Sequence, residues 1–206
     1  DYVKSDFNLV RQTLSKRGRF DNSFAFNVAR RGQIEVLKYL LEVFRGWILP
    51  ESSSLEDIMR RDEIVFDLKM AYFAAICFRG DMVLFSEIQE ELAKLAKSID
   101  IWNVRSIAIK GGHLAIVQKL YEIKHPHISQ ISLDLKNAAE VGQPDIAEYL
   151  LSISPKILLA VGKETILDRS LMSGNPKMIN YMLKVTKLKF KISNLSAVVK
   201  GMNPTI

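Results

Sequence analysis

Apolar positions in this chain recur at helical intervals within a phrase that returns five times. Each copy places small or apolar residues before a glycine, then a short polar turn, then an apolar run that ends in large apolar side chains. The copies are Val28 to Leu41, Ile76 to Ile88, Ala108 to Tyr121, Ala138 to Leu151 and Ser170 to Leu183. The stripe after the turn is Ile34, Leu37, Leu40 and Leu41 in the first copy and Ile146, Tyr149, Leu150 and Leu151 in the fourth. Residues at such spacing share one face of a helix and bury it. The anchoring glycines Gly32, Gly80, Gly112, Gly142 and Gly174 are 48, 32, 30 and 32 residues apart. Three of these four intervals match one helix-turn-helix repeat of about 30 to 33 residues, so the chain reads as an all-α repeat protein.

The glycine follows the last turn of a first helix, where the chain often needs a positive φ that a residue with a Cβ reaches only under strain. The residues after it carry start signals for a second helix. Asn175-Pro176 supplies a capping side chain and a proline at the first helical position, Gln143-Pro144 places its proline the same way, and Gly80-Asp81 offers a carboxylate.

The 48-residue interval breaks the rhythm by roughly 16 residues. The excess falls at about 45–62, where Gly46-Trp47-Ile48-Leu49-Pro50 precedes Glu51-Ser52-Ser53-Ser54. Ser53 with Glu56 resembles a capping box, which predicts one inserted short helix over Leu55 to Arg61, followed by a first helix from Glu63 to Phe78 and a long second helix from Asp81 to Ile101. Near the other end, Lys184, Lys187, Lys189 and Lys191 are interleaved with Leu188, Phe190 and Ile192, a period of two that predicts a half-buried extended segment. Ser5 to Leu14 reads as the second helix of an earlier copy and Leu195 to Gly201 as the first helix of a later one, with Asn203-Pro204 echoing Asn175-Pro176. Neither end shows a polar capping repeat, and the expectation is a piece excised from a longer protein.

The phrase resembles the ankyrin repeat. Val28-Ala29-Arg30-Arg31-Gly32-Gln33-Ile34-Glu35-Val36-Leu37-Lys38-Tyr39-Leu40-Leu41 follows that family's pattern of paired small residues, two variable positions, a Gly-His-Leu turn and an apolar helix closing on Leu-Leu, and Gly112-His113-Leu114 matches the turn itself. The Thr-Pro-Leu-His opening of the family is missing, with Thr165-Ile166-Leu167-Asp168 the nearest approach, and so is the segment that closes its hairpin fingers. The resemblance implies a helical solenoid of about five units with degenerate fingers, acting as a protein-binding module. Divergent units of this kind resemble those of large DNA viruses and of intracellular bacteria, which implies an effector in a host cytosol.

Composition narrows the remaining classes. With 48% hydrophobic and 25% charged residues among 206, the chain has the make-up of a folded globular protein. Its apolar runs, such as Ile157 to Val161, fall far short of the roughly 20 residues of a membrane helix. The lone cysteine, Cys77, rules out an internal disulfide and suits a reducing, cytoplasmic compartment. With only His113, His125 and His127 and no paired cysteines, no zinc motif is formed, and no phosphate-binding glycine pattern occurs. His125 and His127 read as solvated loop residues, His113 as a maker of local hydrogen bonds, and Cys77 as a small buried residue rather than a nucleophile. No catalytic residue, cofactor or metal ligand is expected.

The candidates are therefore binding residues. In the ankyrin frame the two residues before each glycine face a concave groove: Arg30 and Arg31, Phe78 and Arg79, Lys110 and Gly111, Glu140 and Val141, Met172 and Ser173. The basic half of that groove, with Trp102 at a further variable position, would suit a protein carrying an acidic surface or peptide, in keeping with a net charge of +6. Trp47, with Ile48 and Leu49, either offers an apolar contact to the partner or covers the neighbouring helices. The lysine cluster reads as a solvated edge, because 23 acidic residues accompany 29 basic ones and no nucleic-acid motif is present. A monomer is expected. Two other classes remain open: a substrate-positioning arm of a larger enzyme, and a structural spacer.

Overall fold

A computed structural model describes residues 29, 31, 33–46, 54–98 and 100–189. The chain divides into two compact units, Asp1–Ala75 and Ile76–Ile206. Among the described residues all regular structure is helical, in ten helices without a strand.

In the first unit, helix α1 (Ile34–Arg45) buries the stripe read from its sequence, with Ile34, Leu37, Leu40 and Leu41 inside and Val36 and Tyr39 outside. Helix α2 (Leu55–Arg79) begins in this unit and runs unbroken across its boundary. The separate inserted helix expected over Leu55 to Arg61 does not exist. Those residues are the opening turns of α2, since no glycine or proline interrupts the chain between Leu55 and Arg79. Leu55 and Met59 there are exposed; Ile64, Leu68, Met70, Ala71, Phe73, Ala74 and Ala75 further along are buried. Ser53, the presumed cap, lies outside the described residues.

The second unit is a stack of helical hairpins. After α3 (Met82–Ala96) come α4 (Trp102–Gly111) with α5 (Leu114–Ile123), α6 (Ile128–Glu140) with α7 (Pro144–Ile153), a short α8 (Ile157–Val161), and α9 (Lys163–Met172) with α10 (Pro176–Thr186). Helices α4, α6 and α9 pack on one another in that order, and α3, α5, α7 and α10 form a second row. Small residues where the rows meet, Ala108, Ala138, Ala139 and Ala147, let the backbones approach, and Ile116, Leu120, Ile131, Leu135, Ile146, Leu150 and Ile166 fill the remaining space. Helix α8, unforeseen, packs on α6 and α9 through Ile157 and Val161 while Leu159 faces outward.

The helix boundaries follow the capping residues. Asp81 accepts from the Val83 and Leu84 amides at 3.1 and 3.0 Å, Asn175 accepts from the Lys177 amide at 3.0 Å, and Pro144 and Pro176 take first-turn positions. Gln143 gives no cap. His127, expected as a solvated loop residue, caps α6 and receives the Gln130 side chain on its own amide at 3.2 Å. The second helix of the 48-residue interval closes earlier than expected: α3 ends at Ala96, and Ile101 is a buried residue leading into α4. Of the lysine cluster expected in an extended segment, Lys184 lies in a helix, Lys187, Leu188 and Lys189 carry no regular structure, and Lys191 lies outside the described residues. Met178, Met182 and Thr186 are buried at intervals of four, which carries α10 through Lys184 to Thr186 before Lys187 turns left-handed at φ 57°. Residues from 190 onward lie outside the described region.

Gly80, Gly112, Gly142 and Gly174 all have positive φ, between 64° and 79°, as the turn argument requires; Gly32 lies outside the described residues. Their surroundings differ. A Cβ on Gly142 would stand 2.8 Å from the Cβ of Asn175, whereas nothing described lies within 4 Å of one on Gly174. Gly174→Ala should therefore lower stability by about 1 to 2 kcal/mol from backbone strain alone, and Gly142→Ala should cost clearly more. Urea-unfolding midpoints of the two variants measure the difference, and equal losses would show that the collision at Gly142 relaxes freely.

Candidate functional site

Each covered turn carries a side chain from the next hairpin. The imidazole of His113 lies over Gly80 so closely that a Cβ there would collide with the ring, and its Nε2–H donates to the Phe78 carbonyl at 2.9 Å. Gln143 covers Gly112, with its amide nitrogen 2.7 Å from where a Cβ would stand, and Asn175 covers Gly142, donating from Nδ2 to the Gly142 carbonyl at 2.7 Å. The expectation of local hydrogen bonds for His113 is thus corrected: its partner is 35 residues away. Gly111 is glycine for a different reason, since a Cβ there would strike the Phe78 carbonyl. Successive turns form one continuous polar edge.

That edge holds part of the expected binding set. Phe78, half-buried, and Arg79, exposed, end α2, and half-buried Lys110 in the last turn of α4 sits beside them through the Gly111–Phe78 approach. Farther along, Glu140 forms an ion pair with Arg169, which links α6 to α9 and offsets the one acidic charge among these turn positions. The basic character of the edge therefore rests on Arg79 and Lys110. Trp102 does not join them. It opens α4, eight residues before Lys110 and about 12 Å along the helix axis, and its indole N–H is buried without a partner. Arg31 is exposed in the first unit; Arg30 and Trp47 lie outside the residues whose side chains are described.

Sequence reasoning missed a buried charge cluster at the centre of the second unit. Arg105 of α4 is fully buried and donates from Nε to Asp134 Oδ2 of α6 at 3.1 Å, and the Tyr121 hydroxyl of α5 donates to the same oxygen at 2.8 Å. The guanidinium carbon lies 5.8 Å from the centre of the Tyr121 ring, which meets Tyr149 edge-on at 5.6 Å. On its outer side Arg105 Nη1 is 3.7 Å from Asp100 Oδ1, and that oxygen also accepts the Trp102 amide at 3.0 Å. Both terminal nitrogens of Arg105 and Oδ1 of Asp134 lack hydrogen-bond partners. Burial pushes the Asp134 carboxyl above the usual carboxylate range against the pull of Arg105, and burial together with the Asp134 charge pushes the Tyr121 hydroxyl up. The available signal was Asp134 itself, a charge three residues after Ile131 and four before Ala138, at helical spacing on an otherwise apolar face.

The cluster joins three helices and is closed to solvent, so its role is to lock the stack. Cys77 is likewise closed: burial pushes its thiol up and keeps it protonated. Among the described residues no group of three acidic, histidine or cysteine side chains could hold a metal, and no helix is long and apolar enough to cross a membrane. No family model, curated protein or solved structure matches this chain.

Removing one member of the buried pair leaves the other charge uncompensated. Arg105→Met should destabilise by about 3 to 5 kcal/mol, and Arg105→Met with Asp134→Leu by distinctly less; chemical denaturation of the single and double variants measures the coupling. Asp134 also sets a pH dependence. Because its folded pKa is raised above the unfolded value, the folded chain binds this proton more readily, and stability is lost as the pH rises through the window between the two. Asp134→Asn should remove that contribution, which a pH series of unfolding midpoints against the parent chain would reveal.

Proposed function

We propose that this chain is a divergent ankyrin-like repeat module that binds another protein along its turn edge, through Arg79 and Lys110 with Phe78 beside them. The observation that carries the reading is the stacking of successive glycine turns into one edge, which presents variable side chains at a fixed spacing while the apolar residues of each hairpin are spent on its neighbours. Stacked repeats make extended binding surfaces of this kind. With Glu140 and Arg169 paired to each other, the positive end of the edge suits a partner segment rich in carboxylates or phosphate, held by charge-assisted hydrogen bonds. Arg31, exposed in the first unit, is a separate proposed contact of that unit, while Arg30 and Trp47 lie outside the residues whose side chains are described. Service in a secreted effector acting in a host cytosol is the companion proposal, and it rests on the resemblance of the divergent units alone.

The test is affinity capture from a eukaryotic lysate with the immobilised chain, comparing the parent with Arg79→Glu/Lys110→Glu. Reversal of two rim charges should weaken recovery of the captured protein about tenfold at low salt, with the gap closing as salt rises and the helical circular dichroism unchanged. Equal capture by both forms would overturn the assignment of the edge.

A further inference from the structure

The buried cluster carries polar atoms that its own bonds leave over. Asp134 Oδ2 takes both of the bonds made to that carboxylate, from Arg105 Nε at 3.1 Å and from the Tyr121 hydroxyl at 2.8 Å. Arg105 Nη1 and Nη2, Asp134 Oδ1 and the indole N–H of Trp102 are buried and hydrogen-bonded to nothing in the protein. Asp100 does not make up the difference. Its Oδ1 accepts the Trp102 amide at 3.0 Å and stands 3.7 Å from Nη1, beyond a hydrogen bond, while its Oδ2 accepts from Gln130. A guanidinium and a carboxylate that meet squarely share two parallel bonds; here the second is not made, although Arg105 and Asp134 are both fully buried. Polar groups left unpaired at such depth cost stability, most of all when they are charged, and a polar pair held out of hydrogen-bond contact is the ordinary setting of a bridging water.

The leftover atoms decide the chemistry of what completes them. An anion would suit the guanidinium but would face the carboxylates of Asp134 and Asp100. A cation would suit those carboxylates but would face the guanidinium. The fitting ligand is neutral, accepts from an N–H and donates to a carboxylate oxygen. Water does both, and waters buried in folded proteins typically make about three hydrogen bonds to groups that are otherwise unpaired. We propose that the Arg105–Asp134 pair holds an internal water molecule, which accepts from a terminal nitrogen of Arg105 and donates to Asp134 Oδ1. The water turns a one-point contact between α4 and α6 into a two-point link, with Oδ2 bonded directly and Oδ1 through the bridge. Trp102 stands three residues before Arg105, on the same face of α4. Its buried indole N–H adds a donor to the set and no acceptor, which sharpens the demand for a ligand with lone pairs to offer.

NMR on the unaltered full chain tests the proposal without any substitution. The side-chain N–H protons of Arg105 should show a nuclear Overhauser cross-peak to water, with the sign that marks a molecule tumbling with the protein. Magnetic relaxation dispersion of oxygen-17 water supplies a count. Its amplitude should fall by that of one long-lived water in Arg105→Met/Asp134→Leu, where both charges are removed together, and unchanged helical circular dichroism reports that the variant is folded. A parent chain whose Arg105 side chain gives no water cross-peak would overturn the assignment, as would equal dispersion amplitudes in the parent and the folded double variant. So would a direct hydrogen bond from an Arg105 terminal nitrogen to Asp134, read as scalar coupling from that nitrogen to the carboxyl carbon, since the pair would then complete itself without a bridge.

Discussion

The stack depends on one backbone requirement: after each first helix the chain must turn left-handed with no side chain projecting over the turn. Glycine meets both conditions at Gly80, Gly112 and Gly142, and the space above each is occupied by His113, Gln143 or Asn175 from the following hairpin. A residue with a Cβ would be strained by its positive φ and would also displace the neighbour that seats on it. The turn therefore folds its own hairpin and registers the next one. Because the covering residue also precedes a helix, its side chain is positioned by that helix's start, and the register passes from hairpin to hairpin through Phe78 to His113 and Gly142 to Asn175.

Apolar burial would hold the same helices together without fixing how far one slides along another. The polar edge contributes that specification on the turn side, and the Arg105–Asp134–Tyr121 cluster contributes it within the stack. A buried charge pair is weak evidence for stability, since desolvation offsets much of its attraction. Its geometry is demanding, however: the carboxylate oxygen Oδ2 takes one bond from α4 and one from α5, so a shifted α6 would leave charges buried without partners. Asp100 and its contact with the outer face of Arg105 tie the entry of α4 to the same cluster.

These constraints bear on binding through division of labour. Residues that face neighbouring hairpins have little freedom, while Arg79 is exposed beside the Gly80 turn and Lys110 is half-buried before the Gly112 turn. The proposed contact surface thus centres on side chains that end the first helices rather than on the apolar stripes of the second ones. Gly111 carries none, because the approach of the Phe78 carbonyl forbids any side chain there.

The period of the phrase, the positive-φ glycines after Gly32, the caps at Asp81 and Asn175 and the apolar stripes of α1, α5, α7 and α10 were legible in the sequence, because each depends on residues within a few positions of one another. Contacts set by distant parts of the chain were not. Leu55 to Arg61 reads as a helix of its own until continuity with α2 is seen, Lys184 reads as part of an extended segment until Met178, Met182 and Thr186 are found packed at helical spacing, and His113 reads as local until Phe78 arrives beside it. Trp102 and Lys110 share a helix that its periodicity predicts, but only the packing of Gly111 on Phe78 selects Lys110 for the edge and leaves Trp102 at the far end. Sequence determined by itself where the helices turn, since backbone strain and capping are local; tertiary structure decided which charges are buried and which are displayed, since desolvation depends on every residue that packs around them.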